Sequence, residues 1–233
     1  VVIPTFNEER YIGNILNDLS NQSKVPDEII LGDAFSTDRT REIAFKFGAK
    51  VVDGGKASVG RNNGAYASTG DIIVFFDADV RIKESFLEKV LDEFDQRKLD
   101  IAAGLFDVST KSWFYKFVYS LWNLSKSIRE KTNRPDADGQ FMVFRRVAFE
   151  SLHGFRTELI VGEDSDIVLR AVHFHKMKFG LLSARYIPSE RRYQKIGFLR
   201  VALGSVLGGL STGSRFKRLQ KIAEKIYGMG EKY

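Results

Sequence analysis

The sequence has no cysteine, which excludes a disulfide framework, a thiol nucleophile, a zinc ribbon and an iron–sulfur site. That absence fits a reducing compartment. There are only four prolines, and the 20 glycines follow no repeat, so collagen-like and low-complexity material is excluded. The three histidines, His153, His173 and His175, show no metal spacing tied to a carboxylate. His173 and His175 stand two apart on an expected helix and point to different faces. One apolar stretch, Ile196–Leu210, runs for 15 residues but contains Arg200 and four glycines. It falls short of the roughly 20 residues needed to span a bilayer. No signal-peptide pattern opens the chain. Val1-Val2-Ile3-Pro4 already reads as a buried strand, and with no initiator Met the native N-terminus is expected slightly upstream.

What is present reads as a globular α/β chain of 233 residues, 43% hydrophobic and 28% charged. Its net charge of +6 is uneven: residues 185–233 carry a net +8, leaving −2 on the rest. A mildly acidic body with a basic tail suggests a surface-binding appendage. The tail's cations are interleaved with glycine-rich apolar sequence and form no recognition module, so nucleic-acid binding ranks low.

Short apolar runs predict strands at Val1–Pro4, Glu28–Asp33, Lys50–Val52, Asp71–Asp77 and Ile101–Leu105. Helical patterns separate them at about Arg10–Asn21, Asp38–Phe47, Gly60–Ser68 and Glu84–Arg97. Ser36-Thr37-Asp38 supplies an N-cap signal, and Gly48 and Gly70 supply stops. Repeated strand–helix–strand units predict a mostly parallel, doubly wound sheet flanked by helices, with ligands at the carboxyl ends of its strands. Later segments predict a helix over Trp113–Arg129, a strand at Phe141–Phe144, a helix at about Glu163–His175 and a strand at Gly180–Ser183. In the first of these, Lys116, Ser120, Asn123 and Ser127 form a narrow polar stripe on a broadly apolar helix. A basic helix with Arg215, Lys217, Arg218, Lys221 and Lys225 closes the chain as a helical extension. Residues 1–187 are therefore expected to form one domain, divided into halves 1–110 and 111–187. A basic amphipathic extension, 188–233, follows it.

The strongest chemical signal is Ile72-Ile73-Val74-Phe75-Phe76-Asp77-Ala78-Asp79. An apolar strand ends in two carboxylates that must meet water, donors or a cation. Mg²⁺ or Mn²⁺ bridging a diphosphate would suit such hard oxygen ligands. Taken alone, the pair serves equally well as a turn or helix cap.

The ordered blocks V-V-I-P-T-F-N-E-E (1–9), D-A-F-S-T-D-R-T (33–40), G-R-N-N-G (60–64), G-D (70–71) and D-A-D (77–79) resemble family 2 glycosyltransferases. These are inverting, sugar-nucleotide-dependent enzymes of the GT-A fold, and the resemblance covers about residues 1–175. It implies a nucleotide site formed by Pro4, Thr5, Phe6, Asn7, Glu8 and Glu9, with Asp33 on the base. Ala34 and Phe35 depart from the Asp and Gly usual there. Arg61 would lie near the base or diphosphate, and Lys56 is a weaker candidate; either is also readable as a solvated cation. Asp79 would be the principal metal ligand and Asp77 a ribose or metal contact, with Ala78 between them. Val161-Gly162-Glu163-Asp164-Ser165-Asp166 matches the family's E-D element. Asp164 would then be the general base, with a pKa kept low by a helix N-terminus, and Glu163 would orient acceptor or structure. The same acids would also complement a helix dipole. Asp138, Gly139 and Gln140 would line the acceptor side, and Arg191 or Arg192 would close over the diphosphate.

The implied activity is transfer of a sugar from a UDP- or GDP-linked donor to a hydroxyl or lipid phosphate, on a glycan, lipid or protein acceptor. Two other readings stay open: a nucleotidyltransferase, against which Thr5–Glu9 lacks a glycine-rich phosphate loop, and a non-catalytic sugar-nucleotide-binding protein. The aromatic helix and Ile196–Lys225 suit core, peripheral membrane attachment or a homodimer interface. The expected location is cytoplasmic, at the inner face of the cell membrane.

Overall fold

The computed structural model describes residues 1–108, 112–132, 134–159, 161–189 and 191. The chain runs β1 (Val2–Thr5), α1 (Ile12–Ser20), β2 (Ile30–Asp33), α2 (Thr40–Lys46), β3 (Lys50–Asp53), α3 (Ala57–Ala67) and β4 (Ile72–Phe76). It continues through α4 (Phe86–Gln96), β5 (Ile101–Phe106), α5 (Trp113–Glu130), β6 (Phe141–Arg145), α6 (Arg146–Ser151), α7 (Glu163–Phe174) and β7 (Phe179–Tyr186). Arg192 and the expected basic extension from there to residue 233 lie outside the described residues.

The strands form one seven-stranded sheet in the order β3-β2-β1-β4-β6-β5-β7. β1, β2, β3 and β4 run parallel; the apolar runs of β1, β2 and β4 suit strands covered on both faces, whereas β3 is a partly exposed edge strand. β6 runs antiparallel to both β4 and β5, while β7 is parallel to β5. The sheet is thus mixed on the side that the second half of the chain builds. Alternation along β4 feeds two cores: Val74 and Phe76 pack with residues of α1, α4 and α5, whereas Ile73 and Phe75 pack with α3, α6 and α7.

Close approach of backbone explains the glycines of the G-R-N-N-G block. A Cβ on Gly60 would lie 2.7 Å from the Gly32 carbonyl oxygen, and one on Gly64 would lie 2.4 Å from Val2 Cγ1. These residues let α3 lie directly on β1 and β2, which carries Arg61 into the molecule. Three details differ from expectation. Helix α2 starts at Thr40, because the Asp38 carboxylate accepts from the Thr40 N–H at 2.9 Å. Helix α6 is too short to leave a periodic signature. In α5, Asn123 of the expected polar stripe is buried, and apolar residues take its place at the surface.

Candidate active site

In the sheet order, β1 continues to β2 on one side and is flanked by β4 on the other. The crevice beyond the carboxyl ends of β1 and β4 is therefore a topological switch point, where open α/β sheets bind ligands. Thr5–Glu9 leaves β1 there, and Asp77-Ala78-Asp79 leaves β4.

Arg61 organises the floor. Its side chain is buried (the residue is 3% exposed), and it donates to Asp77 Oδ1 at 2.8 Å, Glu163 Oε1 at 3.0 Å and the Gly139 carbonyl at 3.1 Å. Burial alone would lower its pKa, but the charges of Asp77, Glu163 and Asp164 outweigh that and raise it, so the cation is permanent. A Cβ at Gly139 would lie 2.6 Å from Arg61 Nη2, so only glycine fits beside the guanidinium. Asn62 binds the opposite direction: its amide donates to the Phe155 carbonyl at 2.8 Å and accepts from the Phe155 N–H at 2.9 Å.

Asp164 Oδ2 accepts from the Gly139 N–H at 2.8 Å, and Oδ1 from the Ser165 N–H at 2.8 Å. Its pKa is pushed up to about 8, first by burial and then by the neighbouring Glu163 and Asp136 carboxylates. This corrects the expectation of a low pKa. Here desolvation and two like charges outweigh the helix N-terminus and Arg61.

The rim carries the second cation. Glu8 accepts both terminal nitrogens of Arg191, at 2.7 and 2.9 Å, and Arg191 Nη2 lies 3.2 Å from Asp79 Oδ2. The guanidinium also covers the Tyr11 ring at 4.9 Å. Burial opposes its charge, but Glu8 and Asp79 raise its pKa. The paired backbones of Arg81 and Ile187 bring this segment to the site, with N–H···O distances of 2.9 and 3.1 Å. A half-exposed arginine thus supplies the positive charge that Asp79 and Glu8 demand.

Other expected site residues are brought near but differently used. Asp33 is wholly buried and accepts from Thr5 Oγ1, the Ser36 hydroxyl and N–H, and Arg41 Nε at 2.6–2.9 Å. Burial would raise its pKa, but the bonds from Ser36, Arg41 and Thr5 hold it below the ordinary carboxylate range. The direct base contact expected of it has no exposed surface to use in this conformation, and Asp33 instead fixes the loop after β2. Ala78 turns its methyl into the core, leaving only backbone for a ligand. Glu9 braces the start of α2 through the Arg39 N–H at 3.2 Å. Pro4 and Phe6 flank Thr5, half-buried, and Lys56 is exposed just before α3. Asp138 is held by Lys126 and the Tyr186 hydroxyl. Beside it, the Gln140 carbonyl accepts from the Asp77 N–H at 3.1 Å, while its side-chain Oε1 is buried without a hydrogen-bond partner.

Sequence reasoning missed Tyr11, Arg41, Lys126, Asp136 and Tyr186. Only Lys126, a cation on an aromatic helix, left a visible signal. An open recess of about 650 Å³ is lined by Asn62, His153, Arg156, Arg170 and Phe174. Both its arginines pair with Asp166.

Residues 1–152 match the sequence family described as Glycosyl transferase family 2. The chain belongs to that family. It is 32% identical over 126 residues to 4,4'-diaponeurosporenoate glycosyltransferase of Staphylococcus haemolyticus, covering 50% of this chain and 32% of that protein. It is 29% identical over 111 residues to the poly(ribitol-phosphate) beta-N-acetylglucosaminyltransferase TarS of Staphylococcus aureus, covering 43% and 19% respectively. The chain thus spans about a third of one relative and a fifth of the other. In fold it is similar to the mannosyltransferase PcManGT of Pyrobaculum calidifontis, solved with GDP-Man and Mn²⁺. That likeness has a TM-score of 0.72 at 18% identity and covers 98% of this chain and 69% of that one. S. aureus TarS 1–349 with UDP gives a TM-score of 0.61 at 19% identity, covering 98% and 69%. The expected GT-A-like architecture is therefore present.

As for a divalent cation, no group of three or more metal-ligating side chains gathers among the described residues. What the site offers is Asp79, paired with the half-exposed Arg191, and Asp77 two residues before it on the β4 turn. Two carboxylates that leave most positions to phosphate and water fit Mg²⁺ or Mn²⁺.

Proposed function

We propose that this chain transfers a sugar from a nucleoside-diphosphate donor, UDP- or GDP-linked, to a hydroxyl or phosphate acceptor with inversion. Asp79 and Asp77 would hold Mg²⁺ or Mn²⁺. The observation that carries the reading is the pairing of Asp79 and Glu8 with Arg191 at the switch-point crevice. Carboxylates for a cation and an arginine for phosphate meet where β1 and β4 end. The fold neighbours solved with UDP or with GDP-Man and Mn²⁺ support the same ligand class.

In this scheme the acceptor oxygen bonds to the anomeric carbon while the bond to the diphosphate oxygen breaks. With a hydroxyl acceptor Asp164 takes its proton; an ionised phosphate acceptor has none to give. Asp79 and Asp77 would hold a cation whose charge would stabilise the leaving diphosphate. Arg191 swings from Asp79 to the diphosphate and shields it from water. Arg61 keeps Asp77 and Glu163 in place, and Gln140 Oε1 accepts from a sugar or acceptor hydroxyl.

Release of nucleoside diphosphate from a panel of UDP- and GDP-sugars tests this directly. With a hydroxyl acceptor, transfer should rise about tenfold per pH unit below pH 8 and level off above it, because only ionised Asp164 serves as base. D164N should be slow at every pH and lose that slope. A pH-independent rate in wild type would remove Asp164 from the role. The same group affects stability. Its raised pKa means that the folded state binds more protons than the unfolded one between about pH 4 and 8. Its contribution is therefore fully present at low pH and lost as pH rises through that window.

Phe35 supports the nucleotide reading separately. It holds a left-handed backbone (φ 57°) and is 62% exposed at the carboxyl edge of β2, with Arg41 5.9 Å from its ring centre. Strain and exposure together gain the fold little, and a flat ring in that position suits stacking on a base. F35G should be more stable than F35A by about 1 kcal/mol, since glycine relieves the left-handed strain. Both should bind nucleotide roughly fivefold or more weakly than wild type. Unchanged affinity in F35G would make Phe35 a bystander.

A further inference from the structure

Helix α5 turns polar side chains inward beside its buried Val118 and Tyr119: the Asn123 amide donates to the Phe106 carbonyl and accepts from the Phe106 N–H, both at 2.9 Å. Lys126 donates to the Gly104 carbonyl at 3.0 Å and to Asp138, over the Phe106 ring. Glu130 accepts from the Leu181 N–H at 2.7 Å and from Arg97. The helix thus satisfies the exit of β5 and one edge of β7 with groups that ordinarily face water.

The opposite side is apolar and bare. Trp113 is 78% exposed, Phe117 57%, Leu121 50%, Leu124 57% and Ile128 57%. At 100° per residue these five share an arc of about 80° along roughly 22 Å of helix. Together they expose on the order of 500 Å², toward the upper end of what a monomer ordinarily shows in one patch. A fold gains nothing from five large apolar side chains in water. The patch is therefore a surface for something else.

We infer that this face of α5 lies on an anionic lipid surface. Three observations choose that occupant. Among the described residues of α5 and the turn that follows it, the exposed charges are all cations, Lys116, Lys131 and Arg134. The single carboxylate of α5, Glu130, is turned inward to Arg97 and Leu181, so a second copy packed on the same seam would meet like charge without a counter-ion. The sequence from 185 to 233 adds a further net +8, the second signal that lasting attachment to an anionic bilayer requires. Trp113 at the head of the patch is the residue type that settles at the headgroup boundary. No helix among the described residues is long and apolar enough to cross a membrane, so α5 lies along the surface.

The placement has a consequence for the site. Lys126, on the inner face, holds Asp138, and the next residue, Gly139, contacts both Arg61 and Asp164. An α5 laid on lipid would set the acceptor side of the crevice next to the bilayer, favouring an acceptor carried on a lipid. That consequence rests on the transferase reading; the docking surface does not.

The test uses the whole 233-residue chain, co-sedimented with vesicles of neutral phosphatidylcholine alone or with 30% anionic phosphatidylglycerol, at low and high salt. Wild type should bind the anionic vesicles at least tenfold better, and less so in high salt. The triple variant F117S/L121S/L124S, changed only on the outer face, should lose at least tenfold of that binding while keeping its thermal midpoint and its affinity for UDP or GDP. The inference is overturned if the triple variant binds vesicles like wild type. It is equally overturned if wild type ignores vesicles and sediments as a dimer that the variant converts to monomer. Loss of nucleotide binding by wild type would instead count against the transferase reading alone.

Discussion

Asp79→Ala is expected to abolish sugar transfer, by about 10³-fold or more, and to remove any effect of Mg²⁺ or Mn²⁺ on donor binding. The size follows from where the charge sits. In the proposed scheme a departing nucleoside diphosphate would gain negative charge at the ends of β1 and β4, and the carboxylates there would answer it only through a cation. Asp79 is the better placed of the two, because its partner is the half-exposed Arg191 rather than the buried Arg61. Stability should change by no more than about 1 kcal/mol, since the pair that is lost is partly solvated. A folded Asp79→Ala protein with wild-type turnover at saturating donor would defeat the scheme.

Arg61→Leu should have the largest effect on stability, a loss of about 3–5 kcal/mol in a urea titration. The substitution removes the guanidinium that Asp77, Glu163 and the Gly139 carbonyl share. Asp164 also loses an attractive charge, so its pKa should rise further from its position near 8. Arg61→Lys keeps the charge but cannot reach three acceptors with one ammonium, so it should recover only part of the loss. A change below about 1 kcal/mol in Arg61→Leu would show that the three-way contact does not organise the floor.

These two residues also mark what the sequence makes legible. Asp77 and Asp79 stand out because an apolar strand ends in two carboxylates beside the other ordered blocks, and β1, β2 and β4 are visible as runs buried on both faces. Arg61 is visible as a residue, but its role is not: Glu163 lies 102 positions away, and nothing local announces that pairing. Arg191 and Glu8 are 183 apart. The expected low pKa of Asp164 rested on its helix alone, whereas the loop at Asp136–Gly139 closes over it and supplies both the burial and the second carboxylate. Similarly, α5 is recognisable as a helix from its composition, but which side faces inward depends on unpaired backbone at the ends of β5 and β7. Asn123 and Lys126 answer that need. Periodicity records that apolar residues share a face; it does not record that polar backbone waits on the other.

The most direct measurement is a calorimetric titration of wild type with UDP and with GDP, each with and without Mn²⁺. At least one of the two should bind ten times or more tightly in the presence of the ion, and Asp79→Asn should erase that gain. Equal affinity with and without the ion for both nucleotides, or an undiminished gain in Asp79→Asn, would contradict a cation held between these carboxylates and a diphosphate.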